Sequence, residues 1–254
     1  MLTQDQIDHF HTFGFLVLRQ LLTQDEAARM KREAEQVMGK VPVQTSVRKM
    51  PRYFFERSKF LTSLLEDDRI YSIGNDLIGP DFLLESTGGC FRFGDTPWHG
   101  GRGKHTEVLL CIKIAFYLDP VTKDTGCLRV IPGTQRSHST DRFEILRPRN
   151  DDPAFRPFGL NPTEIPCVPL ETQPGDVVAF TEDLLHGSFG GKTGRQQHDI
   201  NFMANPTTER QLAHIRTPKF QLPRPAETYI NSDRPRLRRM VSRLVELGCA
   251  PLKL

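Results

Sequence analysis

The sequence predicts a mainly β fold with flanking helices, its strands closed into a barrel, and three observations carry that prediction. From Phe82 onward the 254-residue chain breaks into short apolar runs punctuated by Gly and Pro, at the spacing of a sandwich or closed barrel. Ahead of that point the periodicity is helical, with start signals in front of the helices. Two histidines in distinctive settings, Pro97-Trp98-His99-Gly100-Gly101 and Leu185-His186-Gly187-Ser188, stand 87 positions apart. No local helix pairs them, whereas a closing sheet makes distant strands neighbours and holds ligands at its mouth.

Thr3 with Gln6 and Thr23 with Glu26 have capping-box spacing, so helices are expected over 4–12 and 24–38, with Gly39 as the stop of the second. Between them Phe13-Gly14-Phe15-Leu16-Val17-Leu18 reads as a short strand. Residues 40–57 carry Arg48, Lys49, Arg52 and Arg57 among Tyr53, Phe54 and Phe55, and Pro42 and Pro51 argue against regular structure. Two readings stand for this stretch: a solvated loop, or a lid bringing positive charge and aromatic surface over a site.

A helix over about 68–78 ends at Gly79-Pro80. Strands are expected over 82–86, 89–93, 108–118, 127–131, 165–170, 176–180 and 197–204, with an insertion rich in Pro, Arg and Asp over 141–163. The run 108–118 is apolar on both faces and therefore central, with Lys113 as its anomaly. Residues 206–231 read as polar and irregular, and Ser232 as the cap of a helix with Pro235 in its first turn and Gly248 past its end. The arginines of that helix, Arg234, Arg236, Arg238, Arg239 and Arg243, read as a solvated face. One domain is expected over 1–254: a helical part over 1–80, a barrel core over 82–205 and a C-terminal extension over 206–254.

Composition narrows the function classes. With 34 basic against 31 acidic residues the net charge is +3, which gives no bulk case for binding a nucleic-acid polymer. Five cysteines without a CxxC pair read as reduced thiols. No apolar run approaches the roughly 18 residues of a membrane span and no leader pattern opens the chain, so a cytoplasmic protein without membrane contact is expected. The oligomeric state is not readable.

Taken in order, Trp98-His99, the run Gly126 to Thr134 ending Ile131-Pro132-Gly133-Thr134, Pro174-Gly175-Asp176 and His186-Gly187-Ser188 resemble the phytanoyl-CoA dioxygenase superfamily of non-heme Fe(II)/2-oxoglutarate-dependent oxygenases. The likeness covers roughly residues 2–204. It implies a double-stranded β-helix, the jelly-roll, cupin-like form of barrel, and the cofactors Fe(II), 2-oxoglutarate and O2. In that family iron is held by a His-x-Asp pair and a distal His. His99 and His186 match the histidines, but the Asp position is Gly101, which has no side chain to coordinate.

Three readings of Gly101 compete. It makes room for chloride, as in the halogenases of this superfamily, whose substrate radical takes a halogen in place of a hydroxyl. Alternatively another carboxylate completes the triad of a hydroxylase, with Glu107 of His105-Thr106-Glu107 ahead of Asp95 and Asp199. Or the chain is a pseudoenzyme or binding module that has lost its metal, a reading that leaves both histidines unexplained.

The resemblance also implies a cation for the distal carboxylate of 2-oxoglutarate. The family's position for that arginine is Gln197 here, and Arg195 lies two residues earlier on the same face of a regular strand. Lys113 is the substitute, and Ser188 and Thr134 offer hydroxyls. For the substrate, Arg102 and Lys104 follow the open position, and Arg52 and Arg57 converge from the expected lid. A small anionic metabolite such as a nucleotide is therefore expected, its base stacked on Phe54, Phe55 or Trp98.

Overall fold

The computed structural model describes residues 1–39, 47–50, 52–100, 107–136, 143–146, 155–191, 194–217, 220 and 222–254. The chain opens as expected with helix α1 (Gln4–Phe13), strand β1 (Phe15–Leu18) and helix α2 (Gln24–Met38). Both capping boxes form: Thr3 N donates to Gln6 Oε1 at 2.9 Å and Thr23 N to Glu26 Oε2 at 2.7 Å, with the reciprocal bonds to the two hydroxyls in place. Gly39 caps α2 in a right-handed conformation (φ −58°), so the helix ends without the left-handed turn that a glycine there suggests.

Within 40–57 the described residues, 47–50 and 52–57, include regular structure, and Pro42 and Pro51 lie outside them. Strand β2 (Val47–Met50) pairs with strand β3 (Leu83–Arg92), and Phe54 and Phe55 are fully buried in the core. Helix α3 (Lys59–Leu64) and helix α4 (Asp68–Leu77) follow. β3 is one strand where two were expected, because Gly88 and Gly89 lie within the ladder and do not break it. Next come β4 (Thr96–His99), β5 (Cys111–Tyr117), β6 (Leu128–Val130), β7 (Val168–Leu170), β8 (Val177–Thr181), β9 (His186–Ser188) and β10 (Arg195–Met203). The expected 141–163 insertion, where described, holds three short 3-10 turns.

The strands form two antiparallel sheets, one in the order β1-β8-β5-β10-β3-β2 and the other β4-β9-β6-β7. That is the double-stranded β-helix, and period-2 alternation sorts its residues. In β5, Ile112, Ile114 and Phe116 face the helices, while Ala115 and Tyr117 face the second sheet with Leu128, Val130 and Phe180. Lys113 is on that inner face and lines a cavity between the sheets. A third apolar cluster, Trp98, Leu146, Ile165, Leu185 and Phe189, lies against the smaller sheet.

Residues 206–231 are not irregular throughout: they include α5 (Glu209–Ile215) and α6 (Glu227–Ile230). Helix α7 (Pro235–Glu246) is capped by Arg234 without a side-chain bond, and Ser232 Oγ accepts instead from Arg234 N at 3.1 Å. Its Leu237, Met240, Val241 and Leu244 are buried in the same core as α2 and β3. Nor are its arginines all solvated: Arg236 reaches Asp68 at 2.6 Å, and Arg239 donates to Phe82 O and lies over the Phe82 ring. The five cysteines form no disulfide. No helix among the described residues is long and apolar enough to cross a membrane.

Candidate active site

His99 ends β4 and His186 begins β9, and the register of that pair sets them directly opposite one another, their ring centroids 4.1 Å apart. Each ring is oriented by a backbone carbonyl two residues before it: His99 Nδ1 lies 2.8 Å from Pro97 O and His186 Nδ1 2.7 Å from Leu184 O. A proton on each Nδ1 satisfies these carbonyls and puts the ring's lone pair on Nε2, which is the arrangement a metal-binding histidine needs. Burial, and then the neighbouring His99, hold His186 well below the usual histidine pKa, so this imidazole is neutral.

The run Ile131 to Thr134 braces this pair from behind. Thr134 Oγ1 donates to Ile131 O at 2.7 Å and accepts from Leu185 N at 2.9 Å, while Ile131 N donates to Leu185 O. Thr134 thus fixes the residue before His186 and does not line the cavity, which corrects its expected place among the cosubstrate donors. Pro174-Gly175-Asp176 is likewise structural: Asp176 accepts from Arg19 Nη1, Gln20 N and Gln173 N, joining β8 to the turn after β1.

A cavity of about 370 Å³ opens beside the histidines. At one end lies Arg195, 3% exposed, whose Nη2 donates to Ser188 Oγ at 2.6 Å and Nη1 to Gly94 O at 3.0 Å. Ser188 Oγ in turn donates a hydrogen bond to Gly126 O at 2.8 Å. Two glycines make room for the guanidinium: a Cβ on Gly126 would lie 2.8 Å, and one on Gly191 1.9 Å, from Arg195 Nη1. No carboxylate among the described residues is within ion-pair distance of Arg195, although burial opposes its charge and lowers its pKa. A buried cation in a prepared cradle without a carboxylate fits an anionic guest.

Gln197 and Lys113 also line the cavity, but Lys113 Nζ is 3.3 Å from Asp199 Oδ2 and so is engaged by a carboxylate. Among the described residues no third His, Cys, Asp or Glu joins His99 and His186 in a three-ligand set. None of the carboxylates named as possible substitutes joins the histidine pair in such a set. Glu107 is exposed and away from the cavity, Asp95 accepts from Gly190 N, and Asp199 faces Lys113 and Asn201. Gly101, Arg102, Lys104 and His105 lie outside the described residues.

The expected base-stacking surface is not there. Trp98 is 1% exposed, donates from Nε1 to Pro162 O at 2.9 Å and packs on Phe189; Phe54 and Phe55 are fully buried behind β3. Arg57 is exposed and does not line the cavity, whereas Arg52 does. Missed by the sequence reading were Glu85, Ser86, Glu182 and Asn201, all cavity residues. The signal for Asn201 was present: Arg195, Gln197, Asp199 and Asn201 recur at every second position of β10 as an unbroken polar face, whereas Ile200 and Phe202 on the other face are apolar.

Residues 86–198 match the family model described as phytanoyl-CoA dioxygenase. A phytanoyl-CoA dioxygenase from Arabidopsis thaliana is 20% identical over 247 residues, covering 78% of this chain and 86% of that one. Among solved structures, HygX from Streptomyces hygroscopicus with nickel and 2-oxoglutarate bound is 19% identical, with a TM-score of 0.66 over 82% of this chain and 90% of its own. The alpha-ketoglutarate-dependent carbocyclase SnoK from nogalamycin biosynthesis gives 17% and 0.60 over 83% and 87%, and EctD from S. alaskensis with 2-oxoglutarate and 5-hydroxyectoine 18% and 0.62 over 80% and 77%. At these identities the structures share the fold.

Proposed function

We propose that this chain is an Fe(II)/2-oxoglutarate-dependent halogenase that replaces hydrogen by chlorine on an aliphatic carbon of a small molecule. His99 and His186 are its two protein ligands to iron, and Gly101 stands where the superfamily has a carboxylate. The observation that carries this reading is the facing pair of imidazoles, each with Nδ1 held by a carbonyl, beside which none of the described carboxylates completes a third ligand. Iron and 2-oxoglutarate, when bound, supply the oxidising power that removes a hydrogen atom from the substrate.

The chain's own residues do the rest. Pro97 O and Leu184 O keep both rings in one tautomer and one orientation. Arg195, held by Ser188 and Gly94, receives the distal carboxylate of 2-oxoglutarate, and the low dielectric around it strengthens that pair. The apolar wall of Phe180 and Leu128 keeps bulk water from the reacting carbon. A nucleotide-like substrate has lost its aromatic support, since Phe54, Phe55 and Trp98 are core residues.

The test is product mass with chloride present and absent. A halogenated product from the wild type that disappears in Gly101→Asp, while iron stays bound, is the expected result. In that variant a carboxylate fills the vacated position and repels the anion. A wild-type product carrying oxygen and no chlorine at saturating chloride makes the protein a hydroxylase, and a protein that binds neither iron nor 2-oxoglutarate is a binding module.

A further inference from the structure

The end of the cavity that holds Arg195 carries a second guanidinium. Arg92 ends β3 and stands directly opposite Arg195, which begins β10, so both side chains leave the sheet on the face that lines the cavity. Like charges in that position oppose one another: burial is the first cause of the lowered Arg195 pKa, and Arg92 adds to it. Arg92 is half-buried and, among the described residues, has neither an ion pair nor a side-chain hydrogen bond. Two cations thus share one wall with no carboxylate set between them.

The next row of the sheet adds donors. Tyr117 of β5 is opposite Gln197 of β10, and both line the cavity without a side-chain hydrogen bond among the described residues. Tyr117 is 2% exposed, and burial pushes its phenol above the usual range, so its O–H stays in place to donate. The carboxylates of the cavity lie further along the same strands. From Arg195 the β10 backbone runs about 13 Å to Asp199, which engages Lys113, and about 20 Å to Asn201, whose partner on β3 is Ser86, next to Glu85. Glu182 is further still from this end, its N–H bonded to Cys111 O at the opposite end of β5 from Tyr117. Asp95, whose charge reaches Arg195, does not line the cavity and accepts from Gly190 N.

The distal carboxylate of 2-oxoglutarate neutralises one of the two guanidiniums and leaves the other facing the same space. From this pair of opposed cations we infer that the cosubstrate end of the cavity also binds a tricarboxylate, which takes the place of 2-oxoglutarate with one carboxylate on Arg195 and an adjacent one on Arg92, and so inhibits by competition. Carboxylates two carbons apart match guanidiniums carried by directly paired residues, and each contact is charge-assisted. The inference rests on the proposed function for the position of the cosubstrate and concerns the regulation of that same site.

The experiment uses full-length protein loaded with Ni(II) and titrated by calorimetry with 2-oxoglutarate, glutarate and tricarballylate. Tricarballylate is a glutarate bearing one further carboxylate, and it lacks the hydroxyl through which citrate chelates metals. It should displace 2-oxoglutarate and bind roughly tenfold or more tighter than glutarate, the gain of one charge-assisted contact. Arg92→Gln should remove that advantage and leave 2-oxoglutarate affinity within about threefold, which also shows that the variant is folded; Arg92→Lys should retain part of the advantage. Tricarballylate that binds no more tightly than glutarate, or that leaves bound 2-oxoglutarate in place, overturns the inference. So does an Arg92→Gln variant that loses 2-oxoglutarate and tricarballylate in equal proportion, because both guanidiniums would then share the one distal carboxylate. Failure of 2-oxoglutarate to bind the wild type overturns the cosubstrate reading instead, and tricarballylate against glutarate, with and without Arg92, still decides this one.

Discussion

An imidazole holds a divalent cation only if it is neutral, rotated correctly and unable to turn away, and His186 meets all three conditions through burial and one carbonyl contact. His99 is matched to it by a ladder register. With two protein ligands there is no redundancy, so His99→Ala or His186→Ala should abolish iron binding, as measured by metal content after anaerobic reconstitution. Retention of stoichiometric iron by either variant would remove the assignment. Arg195→Lys keeps the charge but loses the fork that spans Ser188 and Gly94. Its 2-oxoglutarate requirement should rise by about one to two orders of magnitude, the loss of a charge-assisted contact worth about 1.5–3 kcal/mol. An unchanged requirement would shift the anchor to Lys113. The pairing of the two histidines was legible in the sequence because each sits in a short motif whose partner motif is also present. Thr134 was misread because its hydroxyl works through Leu185, a link that exists only once β9 lies beside the turn after β6.

At the scale of elements, residues 52–57 show how a polar, aromatic stretch can be read as a lid and be a fastening. Thr87, fully buried on β3, accepts from the backbone N–H of Phe54 at 3.0 Å and of Phe55 at 3.1 Å, and its hydroxyl donates to Glu56. Phe54 stacks on His198 of β10, centroids 4.6 Å apart, and packs where a side chain on Gly89 would be. Spacing alone does not show this, since the Thr87 contacts span more than thirty residues. Thr87→Val should cost roughly 2–4 kcal/mol by leaving two amides unpaired, measured by denaturant unfolding. Glu56 adds a pH signature. Burial pushes its carboxyl up to about 7 from an ordinary 4.5, with the Thr87 bond acting the other way. Between those values the folded chain keeps a proton the unfolded chain has released, so this stabilisation is complete below pH 4.5 and is lost as pH rises through 7. Glu56→Gln should flatten that part of the stability profile; an unaltered slope would mean the carboxyl is not the titrating group.

For the whole molecule, the larger sheet separates two environments by the alternation of its own strands. One face packs on the helices through an apolar core reaching from Phe10 in α1 to Leu244 in α7, and the other lines the polar cavity. The fold class was legible from punctuation and periodicity, but the role of the C-terminal helix was not, because its arginines hide how its apolar stripe continues that core. The two faces should then respond independently. Leu244→Ala, 1% exposed in the wild type, opens a cavity worth about 2–5 kcal/mol and should lower the Tm of the metal-free protein by roughly 5–15 °C. The further rise in Tm on adding Ni(II) and 2-oxoglutarate reports binding to the folded state and should be the same as in the wild type. Arg195→Lys should do the reverse, leaving the metal-free Tm near wild type and shrinking the rise. Thermal unfolding of the three proteins, with and without both ligands, measures all of these terms. If Leu244→Ala also diminishes the ligand-induced rise, the helix-packed face communicates with the cavity through the sheet, and the separation argued from strand alternation is wrong.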